Sequence, residues 1–144
     1  MNRRGRIAGV HVLEAIAGSQ QGIDLLARAF LNPGDGVVVE SPMYSIALKI
    51  LVMNGAARLP YDVGREGISL AGLQGILSRA APKLFYAVPN FQNPTGRLVS
   101  LRRRLEILEA AARLDLLIVE DDPYGALYFD DADTALSGER AVDA

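Results

Sequence analysis

Two rhythms of apolar residues alternate along this chain. Short, mainly apolar runs at 37–39, 57–61, 84–88 and 116–119 have the length of buried strands. Between them, apolar residues recur at helical spacing. Ile23, Leu26, Ala27 and Phe30 share one face of a helix that Ser19 is placed to cap. The turn Asn32-Pro33-Gly34-Asp35 leads into the first strand. Ile46, Ile50 and Met53 repeat until Asn54-Gly55 stops that helix. The stretch 69–80 reads as a helix weakened by Gly72 and Gly75. Ser100 caps a strong helix expected to turn Leu101, Leu105, Leu108 and Ala112 inward, with Glu109 and Arg113 as an i,i+4 pair. Strands alternating with helices predict an α/β fold, a three-layer α/β/α sandwich with a mainly parallel sheet. Ligands in such sheets gather at the carboxyl ends of the strands.

Two unusual segments fall at those ends. One is Pro89-Asn90-Phe91-Gln92-Asn93-Pro94-Thr95-Gly96, after the run at 84–88; the other is Glu120-Asp121-Asp122-Pro123-Tyr124, after the run at 116–119. A third, Gly18-Ser19-Gln20-Gln21-Gly22, opens the first helix. Each has a plain reading by itself: a proline-glycine turn, an acidic surface turn and an ordinary helix cap. Each also has a chemical one. Free N–H groups at a helix start favour an anion. A carboxylate ending an apolar strand wants a partner.

Together the three segments resemble the pyridoxal-phosphate-dependent aminotransferases of fold type I, in the branch that handles 2-aminoadipate and aromatic or branched-chain amino acids. The resemblance runs over about residues 17–129. It implies a pyridoxal 5'-phosphate site in which Ser19, Gln20 and Gln21 form the phosphate loop and Tyr44 stacks on the cofactor ring. It further implies that Asn93 and Tyr124 hydrogen-bond the ring oxygen, and that Asp121 pairs with the pyridine nitrogen. The implied reaction moves an amino group from an α-amino acid to a 2-oxo acid, in a homodimer. The family's Schiff-base lysine belongs to a later Ser-x-Ser-Lys-type motif. The two lysines present, Lys49 and Lys83, do not occupy it, so no catalytic residue is assigned.

The expectation is therefore a partial cofactor-binding large domain over 17–129, preceded by an irregular segment at 1–16 and succeeded by a polar tail at 130–144. Such a chain is expected to be incomplete, of doubtful activity alone, with unburied helix faces and an exposed sheet edge. Two alternatives stay open: the effector domain of an aminotransferase-like transcription regulator, and a non-catalytic remnant.

Composition narrows the remaining classes. Fifteen Lys and Arg against 17 Asp and Glu give a net charge of −2, so no bulk pull toward nucleic acid or anionic membrane is expected. The absence of cysteine excludes disulfides and thiolate metal sites, and the single histidine, His11, cannot build a histidine metal site. Arg102-Arg103-Arg104 is expected to fan over solvated helix sides. The basic start Met1-Asn2-Arg3-Arg4-Gly5-Arg6 and the Ala15-Ile16-Ala17 triplet have the outline of a secretion signal. The stretch between them is short and carries His11 and Glu14, so a cytoplasmic protein is expected. No run is long enough to span a bilayer.

Overall fold

The computed structural model describes residues 15–64, 67–68, 70–125 and 127. The elements run α1 (Ser19–Phe30), β1 (Gly36–Ser41), α2 (Ser45–Met53), β2 (Ala57–Gly64), β3 (Gly67–Ile68), α3 (Leu70–Arg79), β4 (Leu84–Ala87), α4 (Leu101–Leu114) and β5 (Leu117–Glu120). Residues 1–14 of the expected irregular start and the tail at 130–144 lie outside the described residues.

The four apolar runs became β1, β2, β4 and β5, joined in one sheet of order β3-β2-β1-β4-β5. The pairs β1–β2, β1–β4 and β4–β5 are parallel. Among the described strands only the two-residue β3, which the apolar pattern did not signal, runs antiparallel, against the end of β2.

Side chains alternate across the sheet, as the period of two requires. Val38, Phe85 and Ala87 enter one core with Tyr61, Leu73 of α3, and Ile107 and Ala111 of α4. Val37, Val39, Leu84, Tyr86 and Val88 enter the opposite core with Ile23 and Ala27 of α1, and Ala47 and Leu51 of α2. The sheet is thus covered on both faces, which is the expected three-layer sandwich. The chain steps from β1 to β2 in one direction, then crosses back to β4 and on to β5. Helix α2 lies on one face and α3 and α4 on the other, so the crossovers in the two directions share one hand, as the rule for parallel βαβ units requires. The direction reverses beside β1, and a crevice opens between the carboxyl ends of β1 and β4.

Three expectations about helices need correction. Gly18, not Ser19, is the N-cap of α1, with φ 110°, and no side chain caps the helix. A left-handed φ there favours glycine over serine, so Ser19 becomes the first helical residue. On α4 the inward face carries Ile107, Ala110 and Ala111, while Leu101, Leu105 and Leu108 are about half exposed. Small alanines let the helix sit close to the sheet, and the larger leucines form an outward stripe. Ala112 is exposed as well. Likewise Ala47 and Leu51 anchor α2, Ile50 is only partly buried, and Met53 is 85% exposed. The outward leucines, with the half-exposed edge strand β5, agree with the expected unburied helix face and open sheet edge.

Arg103 and Arg104 lie on the inward side of α4, and their side chains are only 16% and 11% exposed. The expected solvated arginine face therefore holds only for Arg102. Arg103 and Arg102 both approach Glu106, at 2.7 and 3.8 Å. Arg104 turns toward the loops at the end of the sheet.

Candidate cofactor site

The segments singled out in the sequence converge at the carboxyl ends of β1, β4 and β5. A cavity of about 150 Å³ there is lined by Ser19, Tyr44, Asn93, Asp121 and Tyr124, with Val88 and Pro123 completing the wall. Tyr44 arrives as the N-cap of α2, three residues beyond β1. Asn93 sits in the loop leaving β4. Asp121 is the first residue past β5, and its N–H donates to Ala87 O at 2.9 Å. That bond fixes the acid at the sheet's end.

Asp121 is buried, 9% exposed. Tyr86 Oη donates to its Oδ2 at 2.6 Å, which answers the need of a buried carboxylate for a partner. Burial, then this bond to Asp121, raises the Tyr86 hydroxyl beyond its ordinary range, so it stays a donor. Asn93 Nδ2 lies 3.4 Å from Tyr124 Oη, which brings the two hydroxyl- and amide-bearing side chains to one side of the cavity.

The phosphate-loop candidates divide. Ser19 lines the cavity at the mouth of α1. Gln20 reaches the site through Tyr44, donating from Nε2 to Tyr44 Oη at 3.1 Å. Gln21 turns away and accepts the Ala17 N–H at 2.6 Å, closing the chain onto the helix start. Neither glutamine lines the cavity itself.

The loop carrying Asn93 is tightly built. Gln92 N–H donates to Arg97 O at 2.8 Å and Gly96 N–H to Gln92 O at 2.6 Å, with Gly96 at φ 68°. Phe91 also takes a left-handed φ of 50°, uncommon for a bulky residue. The peptide bonds Ser41–Pro42 and Asn93–Pro94 are both cis. Arg104 supports the loop from below, donating to Val99 O at 3.0 Å, Pro89 O at 3.3 Å and Asn90 Oδ1 at 2.5 Å. Arg97 donates to Val63 O and ties the loop to β2.

Beneath the site lie two polar side chains to which the sequence assigned no role, Glu40 at the end of an apolar run and Gln92 inside the Pro89–Gly96 segment. Glu40, near the end of β1, is 2% exposed, and Gln92 is 1% exposed. Gln92 Nε2 donates to Glu40 Oε2 at 3.1 Å and to Pro42 O at 2.7 Å. Burial pushes the Glu40 carboxyl up to about 7, against the opposing bond from Gln92. The Tyr61 hydroxyl faces the same carboxyl, and burial first, then Glu40, drives it above its usual range. Among the described residues, Glu40 Oε1 and Tyr61 Oη close no hydrogen bond of good geometry.

Of the lysines, Lys49 is exposed on α2. Lys83 precedes β4, at the sheet's amino-terminal end, where its Nζ lies 4.0 Å from Asp35. Neither touches the cavity. Among the described residues no cluster of His, Cys, Asp or Glu could hold a metal ion, and no helix is long and apolar enough to cross a membrane.

The family model for aminotransferase class I and II matches residues 13–143. The chain belongs to this family. Among curated relatives, the 2-aminoadipate transaminase of Thermus thermophilus is 40% identical over 115 residues, covering 80% of this chain and 29% of the relative. The mitochondrial kynurenine/alpha-aminoadipate aminotransferase of Bos taurus is 35% identical over 123 residues, covering 78% and 29%. Among solved structures, an alpha-aminoadipate aminotransferase from Thermus thermophilus, complexed with N-(5'-phosphopyridoxyl)-L-leucine, superposes with a TM-score of 0.76 at 40% identity. It covers 81% of this chain and 30% of that one. A kynurenine aminotransferase from Pyrococcus horikoshii superposes with a TM-score of 0.78 at 38% identity, over 86% of this chain and 33% of that one. This aminotransferase-family chain thus spans about a third or less of the length of the relatives it matches.

Proposed function

We propose that this chain forms the cofactor-holding part of a pyridoxal-phosphate-dependent aminotransferase, acting on an α-amino acid and a 2-oxo acid. The observation that carries the reading is the buried, Tyr86-supported carboxylate of Asp121 in the same cavity as Tyr44, Asn93 and Tyr124. The donor set suits the group. Asp121 is an anion that favours a protonated ring nitrogen. Tyr44 offers an aromatic face to a flat heterocycle. Asn93 and Tyr124 offer an amide N–H and a hydroxyl to a ring oxygen. The uncapped start of α1 at Ser19 offers backbone N–H groups and a positive helix end to a phosphate.

When bound, pyridoxal phosphate supplies an electron sink for the bond changes at the substrate's α-carbon. The residues here do the holding. Asp121 keeps the ring nitrogen charged, Tyr86 fixes the carboxylate's direction, and Tyr44 covers one ring face. Gln20 steadies Tyr44 through its hydroxyl. In this reading residues 17–129 act as cofactor-binding large domain, in a cytoplasmic homodimer like that implied by the family resemblance. Gln21 serves the helix start, not the cofactor.

The test is titration of the purified chain with pyridoxal phosphate, monitored by absorbance and by quenching of tyrosine fluorescence. Saturable binding that Asp121→Ala and Asn93→Ala each weaken supports the reading. Binding unaffected by both substitutions, or no binding by the folded chain, would sink it.

A further inference from the structure

Gln92 is unusual in how completely its side chain is used. Its amide nitrogen donates twice, to Glu40 Oε2 and to Pro42 O. Its amide oxygen accepts twice, from Thr95 N–H at 3.0 Å and from Thr95 Oγ1 at 2.5 Å. That exhausts what one carboxamide can do. The partners lie on two separate loops. Glu40 and Pro42 belong to the end of β1 and the turn toward α2, which delivers Tyr44. Thr95 belongs to the loop after β4, which delivers Asn93. Both glutamine and glutamate are almost wholly buried, so water does not compete for these bonds. The β1 and β4 strands are hydrogen-bonded neighbours, but their ladder ends at the Val39–Tyr86 pair. Beyond it, this polar link holds the two loops at a set distance.

We propose that Glu40 and Gln92 form a buried clasp that fixes the spacing between Tyr44 and Asn93, making both positioning residues for the ring of the cofactor. The proposal rests on the reading of the cavity as a pyridoxal phosphate site. Neither clasp residue lines the cavity. Each acts through the loop it holds. The clasp governs the ring end of the site, because Ser19 and the start of α1 at the phosphate end stand on a different element. Its partners are a donor and an acceptor, so a substitution that preserves an acceptor at position 40 preserves the clasp.

Two measurements separate the clasp from the function. The first is affinity, by fluorescence titration, for pyridoxal phosphate and for inorganic phosphate as competitor. Gln92→Leu and Glu40→Leu are expected to weaken pyridoxal phosphate by about tenfold while leaving phosphate alone nearly unchanged. Glu40→Gln, which keeps an acceptor for Gln92, stays within about threefold of the parent. The second is amide hydrogen exchange on the ligand-free chain. Either leucine substitution is expected to raise exchange in both loops, 41–45 and 92–97, together. Thr95→Val, a milder change, does the same to a smaller degree and serves if a leucine variant does not fold. Parent-like affinity in both leucine variants, or faster exchange only in the loop that carries the substitution, overturns the clasp. A folded parent that binds no pyridoxal phosphate defeats the proposed function instead, and the exchange pattern then decides the clasp by itself.

Discussion

Tyr86 Oη and Asp121 Oδ2 stand 2.6 Å apart, although 35 residues separate them in sequence. The parallel register explains the meeting. Tyr86 pairs with Val119, and Asp121 lies two residues further along, on the same face. A hydroxyl on β4 thus aims the acid at the end of its neighbour β5. Tyr86→Phe keeps the ring and removes the donor. The expected result is a loss of about tenfold in pyridoxal phosphate affinity and about 1–2 kcal/mol of stability, read by titration and by urea unfolding.

Glu40 predicts a pH dependence. Its carboxyl is raised from 4.5 to about 7 in the folded chain, chiefly by burial. Below about pH 4.5 it is protonated whether the chain is folded or not. From there to about pH 7 the unfolded chain releases the proton while the folded chain keeps it, so stability falls as pH rises. Above about 7 the penalty is complete, at roughly 3 kcal/mol. Glu40→Gln has no proton to release. The difference in unfolding free energy between the parent and this variant should therefore decline across that window and level off above it.

The inward face of α4 makes a stability prediction opposite to the simplest pattern reading. Ile107 is 6% exposed in the core, whereas Leu105 is 45% exposed. Ile107→Ala should cost about 2–5 kcal/mol, through lost burial and a cavity. Leu105→Ala should change stability by under about 1 kcal/mol. Denaturant melts of the two variants give the comparison directly.

Arg104 donates to Val99 O, Pro89 O and Asn90 Oδ1 below the Asn93 loop, and its guanidinium lies 3.7 Å from Glu120. Arg104→Met keeps much of the stem but strips these bonds from buried groups. Asn90 already carries an unsatisfied donor, since its Nδ2 has no acceptor among the described residues. A loss of about 2–3 kcal/mol is expected, with weaker pyridoxal phosphate binding as the loop loosens. Thermal unfolding and titration of the same variant check both.

Much of this architecture is written locally. Val37, Val38 and Val39 announce a strand buried on both faces, and the Pro89–Gly96 and Glu120–Tyr124 segments mark the functional loops at the ends of two such strands. The helix faces are less legible, because α4 buries alanines and exposes leucines, so residue size misleads a periodic reading. Gly18 escapes notice as a cap because serine is the commoner capping residue, while the backbone there needs a left-handed φ. Glu40 and Tyr86 carry no local signal, and Gln92, although inside the marked Pro89–Gly96 segment, is not set apart there from its neighbours. Their meaning depends on partners 35 and 52 residues away, and only strand order and register bring those partners within reach.

The cavity draws on Ser19, at the start of α1, and on Tyr124, beyond β5, as well as on loops between them. Its walls exist only once the non-local parallel pairings have closed. A small molecule seated there would work as a removable rivet through the whole tertiary structure. Its grip should resist unfolding far from the point of contact, including the separation of α1 from the sheet, and saturating ligand should raise the melting temperature of the chain as a single unit.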